Sequence, residues 1–167
     1  MLNGPTAVSQ GPQTIGGAIN LISTPIPNAP SGKFVQELGE NGMIRTHAYY
    51  GGTSGNFGGL VEVHEHESDG FDSIANVGGD TGFDKSDLMF KARYSAGNHS
   101  LTYKMVDLDE SSDQSYVGLS QASFKANARL RYGATAYDKM MNEGDQTSLS
   151  YVGEFDNFKS FLFYRVK

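Results

Sequence analysis

The sequence predicts an all-β fold, and three observations carry that prediction. Short segments after residue 30 alternate apolar and polar side chains with period two. All five prolines (Pro5, Pro12, Pro25, Pro27 and Pro30) precede Ser31. The composition combines 21 Gly, 9 Tyr and 10 Phe in 167 residues with only 19% charged side chains. Period two is the signature of a strand with one apolar and one polar face. Proline has no N–H to give to a strand ladder, so a proline-free stretch permits an extended sheet. The break at Pro30-Ser31-Gly32 therefore divides the chain into residues 1–30 and 31–167.

The elements follow in order. Segments 33–39, 43–50 and 57–66 carry the pattern weakly; in the second, Ile44, Ala48 and Tyr50 oppose Arg45 and His47. In 87–95, Leu88, Phe90, Ala92 and Tyr94 share one face and Asp87, Lys91 and Arg93 the other. In 99–106, Leu101, Tyr103 and Met105 alternate with Ser100, Thr102 and Lys104; in 148–155, Leu149, Tyr151 and Phe155 alternate with Ser148, Ser150 and Glu154. A weaker segment at 158–166 brings the total to about seven strands. Short turns are expected at 51–56, 96–98 and 156–157, and long polar loops at 68–86 and 107–146. Short and long links alternate, which in an up-and-down sheet puts the long loops at one end. Outer-membrane barrels sort their loops in this way, whereas a soluble sandwich has no reason to. Within the second loop, residues 120–130 are read as a short helix with Ser120 as N-cap.

Composition excludes several function classes. Thirteen Lys+Arg against 19 Asp+Glu give a net charge of −6, which opposes attraction to nucleic-acid phosphates. Cysteine is absent, so disulfide scaffolds and thiolate metal sites are ruled out. The start, Met1-Leu2-Asn3-Gly4-Pro5, is not a secretory leader. No apolar run is long enough for a membrane helix, which says nothing of a β-barrel.

Candidate sites are few. Glu62, His64 and His66 fall on one strand face, with Val61, Val63 and Glu65 on the other. A carboxylate and two imidazoles suit a divalent metal, but ligands spaced by two on one strand diverge, so a polar strand face is preferred. The acidic runs Gly78–Asp84 and Asp107–Glu110 lack the ligand spacing of a calcium loop and are read as solvated loop surface. The glycine-rich run 51–59 has no Gly-Lys-Ser/Thr for phosphates, and Asn56 stands where a nucleophile elbow around Ser54 would need Gly. No nucleophile–base pair stands out, so no enzyme, catalytic residue, metal site or cofactor is expected. Lys91, Arg93, Lys104, Arg129, Arg131 and Lys139 would attract an anionic ligand if the fold brought them together. The alternative is dispersed charge without a shared target, and ligand-binding residues stay unassigned.

The N-terminal residues carry a resemblance. Leu2-Asn3-Gly4-Pro5, then Gly11-Pro12-Gln13-Thr14-Ile15-Gly16-Gly17-Ala18-Ile19-Asn20-Leu21-Ile22-Ser23, resembles the end of the plug domain of TonB-dependent outer-membrane receptors. The Gly-Pro-Gln-Thr variant and the trailing Thr24-Pro25-Ile26-Pro27 are similar to the ferric citrate receptor branch. Further agreeing pieces are Ser68-Asp69-Gly70-Phe71, Thr81–Asp87, Gly118–Phe124 and Tyr137-Asp138-Lys139-Met140. Ser9-Gln10 depart from the family pattern, which usually has an aliphatic or aromatic residue followed by Tyr.

The resemblance implies a partial transmembrane antiparallel β-barrel, about seven of about 22 strands, in residues 31–167. Residues 1–30 would be the C-terminal end of the plug. It further implies outer-membrane lipid around the barrel, a ferric siderophore or ferric citrate as ligand, and a TonB-type energy-transducing complex as partner. The location would be the outer membrane of a Gram-negative bacterium. On this reading the chain is a fragment or a truncated gene product, with Met1 at an internal position and Lys167 inside a strand. The alternatives are a passive barrel or surface β-protein without active transport, and a soluble β-sandwich. An open sheet leaves unpaired edges that lipid does not tolerate. Cells producing only these 167 residues should therefore accumulate no more radiolabelled ferric chelate than cells without them.

Overall fold

The computed structural model describes residues 22–79 and 81–167. Nine strands and one α-helix follow in order: β1 (Ser31–Leu38), β2 (Ile44–Ser54), β3 (Phe57–Ser68), β4 (Ser73–Ile74), β5 (Phe83–Ala96), β6 (His99–Ser112), α1 (Gln121–Ala126), β7 (Leu130–Arg131), β8 (Met140–Glu154) and β9 (Lys159–Val166). Seven form one sheet in the order β1-β2-β3-β5-β6-β8-β9, and every neighbouring pair is antiparallel. The fold is thus all-β, with the seven strands that the alternation predicts. β1 and β9 are not paired with each other, so the sheet is open. β4 and β7 make a separate parallel pair between the two long loops.

Register fixes what each face carries. One lateral row reads Gly51, Leu60, Lys91, Lys104, Ser148 and Arg165; the next reads Tyr50, Val61, Phe90, Met105 and Thr147. Rows alternate in this way because successive side chains point to opposite sides. On the first face lie His47, Glu62, His64, His66, Asp87, Lys91, Arg93 and Lys104. On the second lie Phe34, Tyr50, Val61, Leu88, Phe90, Tyr94, Leu101, Met105, Leu149, Leu162 and Tyr164, all solvent-exposed. Over β2, β3, β5 and β6 the usual arrangement is reversed, with the polar face covered and the apolar one bare; at β8–β9 the first face also carries exposed apolar side chains, Val152, Phe161 and Phe163. The small core of Ile26, Leu60 and Met89, with Tyr49 and Val106 against it, sits on the polar face. Ile26 comes from the extended segment 22–27, which crosses that face before the chain enters β1.

The strands run further than alternation predicts. β5 and β6 have 14 residues each and β8 has 15, so the loops shrink from 68–86 and 107–146 to 69–82 and 113–139. Asp107–Glu110 is accordingly strand and not loop, with its side chains divided between the two faces. In these extensions both faces carry polar residues, and no period-two signal remains. Backbone pairing continues regardless, because the ladder needs N–H and C=O groups and not apolar side chains.

The connections divide between the two ends of the sheet, with both long loops at one of them. At one end, β2–β3 and β5–β6 turn through Gly55-Asn56 and Gly97-Asn98. Gly55 and Gly97 both sit at φ 56°, as the first central residue of a type II′ hairpin requires. Strand pairing runs up to Ser54 and Phe57, so the expected turn at 51–56 contracts to Gly55-Asn56. The 39–43 turn and the loops 69–82 and 113–139 share the opposite end. There Ser120 caps α1, accepting the Ser123 N–H at 3.2 Å. The helix stops at Ala126 and not at residue 130, because Asn127 turns extended (φ −155°) and Leu130-Arg131 join β7.

Gly82 marks where loop 69–82 returns to the sheet: a Cβ there would stand 1.8 Å from the Ser68 carbonyl oxygen. Backbone must move to admit a side chain. Gly82→Ala should lower stability by about 1–3 kcal/mol, the usual cost of overpacking, read as a reduced urea midpoint of the refolded chain in detergent.

Candidate functional site

Two regions bring chemically capable side chains together: the polar face beneath segment 22–27, and the cap built from the two long loops.

On the polar face, segment 22–27 is fastened strand by strand. Thr53 Oγ1 donates to the Pro27 carbonyl at 2.8 Å, and Thr24 Oγ1 donates to Glu62 Oε1 at 2.8 Å. Lys91 Nζ donates to the Thr24 carbonyl, and Lys104 Nζ donates to Ser23 Oγ at 3.2 Å. Lys91 is only 8% exposed and stands directly opposite Lys104. Like charges so placed repel. The repulsion is offset by the acceptors that Ser23 and Thr24 supply and by the Glu62 carboxylate. Glu62 also meets His47 Nε2 at 2.6 Å.

The residues suggested as metal ligands are separately engaged. Arg45 Nε donates to His64 Nε2 at 3.1 Å, which leaves the proton on Nδ1, facing Asp87 Oδ2 at 3.3 Å. Arg45 also pairs with Glu37 at 3.0 Å. The His66 ring packs edge-on against Phe83 at 4.8 Å. Among the described residues no group of three or more His, Asp or Glu is arranged to hold a metal ion. The six cations do not converge. Lys91, Arg93 and Lys104 serve the polar face, Arg131 and Lys139 belong to the cap, and Arg129 meets β4 through its backbone carbonyl. The acidic run 78–84 includes Asp80, which lies outside the described residues, as does the plug-like stretch 1–21.

In the cap, β4 and β7 tie loop 69–82 to loop 113–139. Arg131, 6% exposed, is the clamp. Its Nε donates to Thr135 Oγ1 at 3.1 Å, Nη1 to the Asp113 carbonyl, and Nη2 to the carbonyls of Thr135 and Asp138. One planar fork thus joins three parts of the loop. α1 is held by Tyr132, whose hydroxyl accepts the Ser120 N–H at 3.0 Å and donates to Ser123 Oγ at 3.0 Å. Its hydrogen bonds with Ser120 and Ser123 bring its pKa down to about 8. Between the loops lies a cavity of about 570 Å³, lined among others by Phe71, Asp72, Phe83, Asp113, Phe124 and Arg131.

Sequence reasoning did not find this clamp. β4 and β7 are two residues each, too short for any periodicity, and the lone hint is an arginine set between Leu130 and Tyr132. Comparison with protein-family models, with curated proteins and with solved structures gives no significant match to the chain.

Removing the Arg131 fork takes a donor from Thr135 Oγ1 and from the carbonyls of Asp113, Thr135 and Asp138; a buried acceptor left unpaired costs about 1–3 kcal/mol. Arg131→Ala should open the cap while the seven-stranded sheet survives. The readout is faster amide hydrogen exchange across 113–139 with unchanged protection in β2, β3, β5 and β6. Arg131→Lys should not rescue it, since an ammonium cannot reproduce the fork.

Proposed function

We propose that the chain forms part of the wall of an outer-membrane β-barrel. Within that class, we propose that it is part of a TonB-dependent receptor for ferric chelates, whether ferric citrate or another siderophore complex. The observation that carries the first step is the reversed sheet. In water a bare face of this kind is unfavourable; against lipid it is the side that belongs outside, with the polar side turned to a wet interior.

A continuous apolar stretch suits lipid contact. On β5 the apolar positions run from Leu88 to Tyr94, six rises or about 20 Å of strand at about 3.4 Å each; at a tilt of about 35–45° that spans about 15 Å of an apolar belt about 25 Å tall. Beyond the belt the same face carries Asp84, Ser86, Asp107, Asp109, Glu143 and Asp145, which suit headgroups and water. At the tight-turn end Phe57 and Tyr94 pack at 4.9 Å, an aromatic pair where an interfacial girdle is expected.

The second step is supported by segment 22–27. It lies on the face assigned to the interior and reaches β1 at the tight-turn end, as the tail of a plug entering a first strand would. Together with the glycine-rich residues 11–23, that path favours a plugged receptor over a passive pore. The cap stands at the opposite, long-loop end, where an external ligand arrives. An energy-transducing partner would act on the plug side.

The full chain, refolded in detergent, should float with phospholipid vesicles on a density gradient. Phe90→Arg should weaken that association by about 2–4 kcal/mol, the cost of a cation near the bilayer midplane. His64→Arg, on the opposite face, should leave it nearly unchanged. A chain that stays monomeric in detergent-free buffer and ignores vesicles would overturn the reading.

A further inference from the structure

We propose that the polar face carries an anion site: the row of Lys91, Lys104 and Arg165, with Arg93 beside it, takes a multivalent oxyanion of the phosphate or polycarboxylate class in competition with segment 22–24. The proposal rests on the reading that this face is turned to a wet interior, and it adds a binding site at mid-depth of the wall.

Register assembles the row. Lys91 stands opposite Lys104, Lys104 opposite Ser148, and Ser148 opposite Arg165. The next row on the same face reads Arg93, Thr102, Ser150 and Phe163, and the row on the other side reads Met89, Val106 and Gln146. Across β5, β6, β8 and β9 these three rows therefore hold four cations and no carboxylate. Glu62 of β3, opposite Met89, is the nearest acid by register, and its Oε1 already serves Thr24 and His47. Among the described residues none of the four cations forms an ion pair. The site is separate from the cap: Lys91 lies eight residues along β5 from Phe83, about 27 Å at about 3.4 Å each.

The groups that touch these cations are neutral. Lys91 donates to the Thr24 carbonyl, Lys104 to Ser23 Oγ at 3.2 Å, and Arg93 Nη2 to Thr53 Oγ1 at 3.3 Å; Arg165 is exposed. Each keeps its positive charge and has N–H groups beyond those bonds, since an ammonium carries three donors and a guanidinium five. Two ammonium groups directly opposite each other repel, and a carbonyl and a hydroxyl leave that repulsion unneutralised. A bound oxyanion neutralises it and replaces both acceptors with stronger, charge-assisted bonds. Lys104 and Arg165 are two strand spacings apart, about 10 Å, a gap that two flexible side chains close around an anion with several charged oxygens. A monovalent anion serves one end of the row only. Ser23 and Thr24 hold the ammonium groups that the anion needs, so anion and segment exclude each other, and each weakens the other's hold by the same factor.

Equilibrium dialysis of the full chain in detergent at fixed ionic strength tests this with inorganic pyrophosphate, iron-free tricarballylate and acetate as probes. Pyrophosphate, tricarballylate or both should bind at least tenfold tighter than acetate; which of the two is retained distinguishes a phosphate source from a polycarboxylate one. Lys104→Gln with Arg165→Gln should weaken the retained probe tenfold or more. Lys125→Gln with Arg129→Gln, the same loss of charge placed in the cap, should change it less than twofold. Lys104→Arg with Arg165→Lys keeps the charges and should hold affinity within fivefold; all three pairs should retain the wild-type strand signal in circular dichroism. Ser23→Ala removes the segment's hold on Lys104 and should raise affinity about two- to tenfold, the worth of one hydrogen bond.

The site is overturned if neither multivalent anion binds tighter than acetate, if the cap pair costs as much as the Lys104 and Arg165 pair, or if the charge-preserving pair loses binding as fully as the neutral one. Unchanged affinity in Ser23→Ala would overturn the competition with segment 22–24. Vesicle flotation of the same preparation reports separately on the membrane reading: a chain that binds the anion but ignores vesicles keeps the site and loses the wall.

Discussion

Lateral pairing of backbone groups, unbroken across seven strands, is the constraint on which the rest of this structure depends. Each strand gives its N–H and C=O groups to its neighbours, so the ladder is indifferent to what the side chains do. That indifference allows one strand to change character along its length. β5 runs from a polar stretch at Phe83–Asp87, through an apolar belt, to a glycine turn, without a break in pairing. The two faces can then be specialised separately, one bare and apolar, the other polar and covered by segment 22–27.

Where the sequence was legible, it was because two chemistries alternated. Leu88, Phe90, Ala92 and Tyr94 against Lys91 and Arg93 located β5, and Leu101, Tyr103 and Met105 located β6. Turns were expected at 51–56 and 96–98, and the pairing narrows them to Gly55-Asn56 and Gly97-Asn98. Where both faces are polar, as at Asp107–Ser112 or Met140–Gln146, the signal vanishes although the ladder does not, and strand was read as loop. The pairing of Glu62 with His47 and Thr24 was hidden for another reason. It joins residues 15 and 38 positions apart, and no local pattern encodes a contact across strands. The suggestion that Glu62, His64 and His66 share a face was right about direction. Their partners, however, come from β2, β5 and segment 22–27, so each is engaged separately.

The cap follows a different logic from the sheet. Its two strands are minimal and its helix is short, so little of its order comes from repeating backbone pairing. A single buried guanidinium does much of the work, joining Asp113, Thr135 and Asp138 by their carbonyls. Four of the five guanidinium N–H groups are used in this way, all on neutral acceptors, so the clamp keeps its charge beside the aromatic and acidic lining of the cavity.

The meander also dictates an order of assembly. Type II′ turns close the shortest possible loops, at the smallest entropic cost, and each hairpin can zip outward from its Gly-Asn pair. The rows beside the turns therefore pair first and the polar extensions last. The long-loop end, with β4 meeting β7 across more than fifty residues of chain, can close only when its supporting strands are in place. A cap built last, on a scaffold already finished, is free to diverge in sequence without endangering the folding of the sheet beneath it.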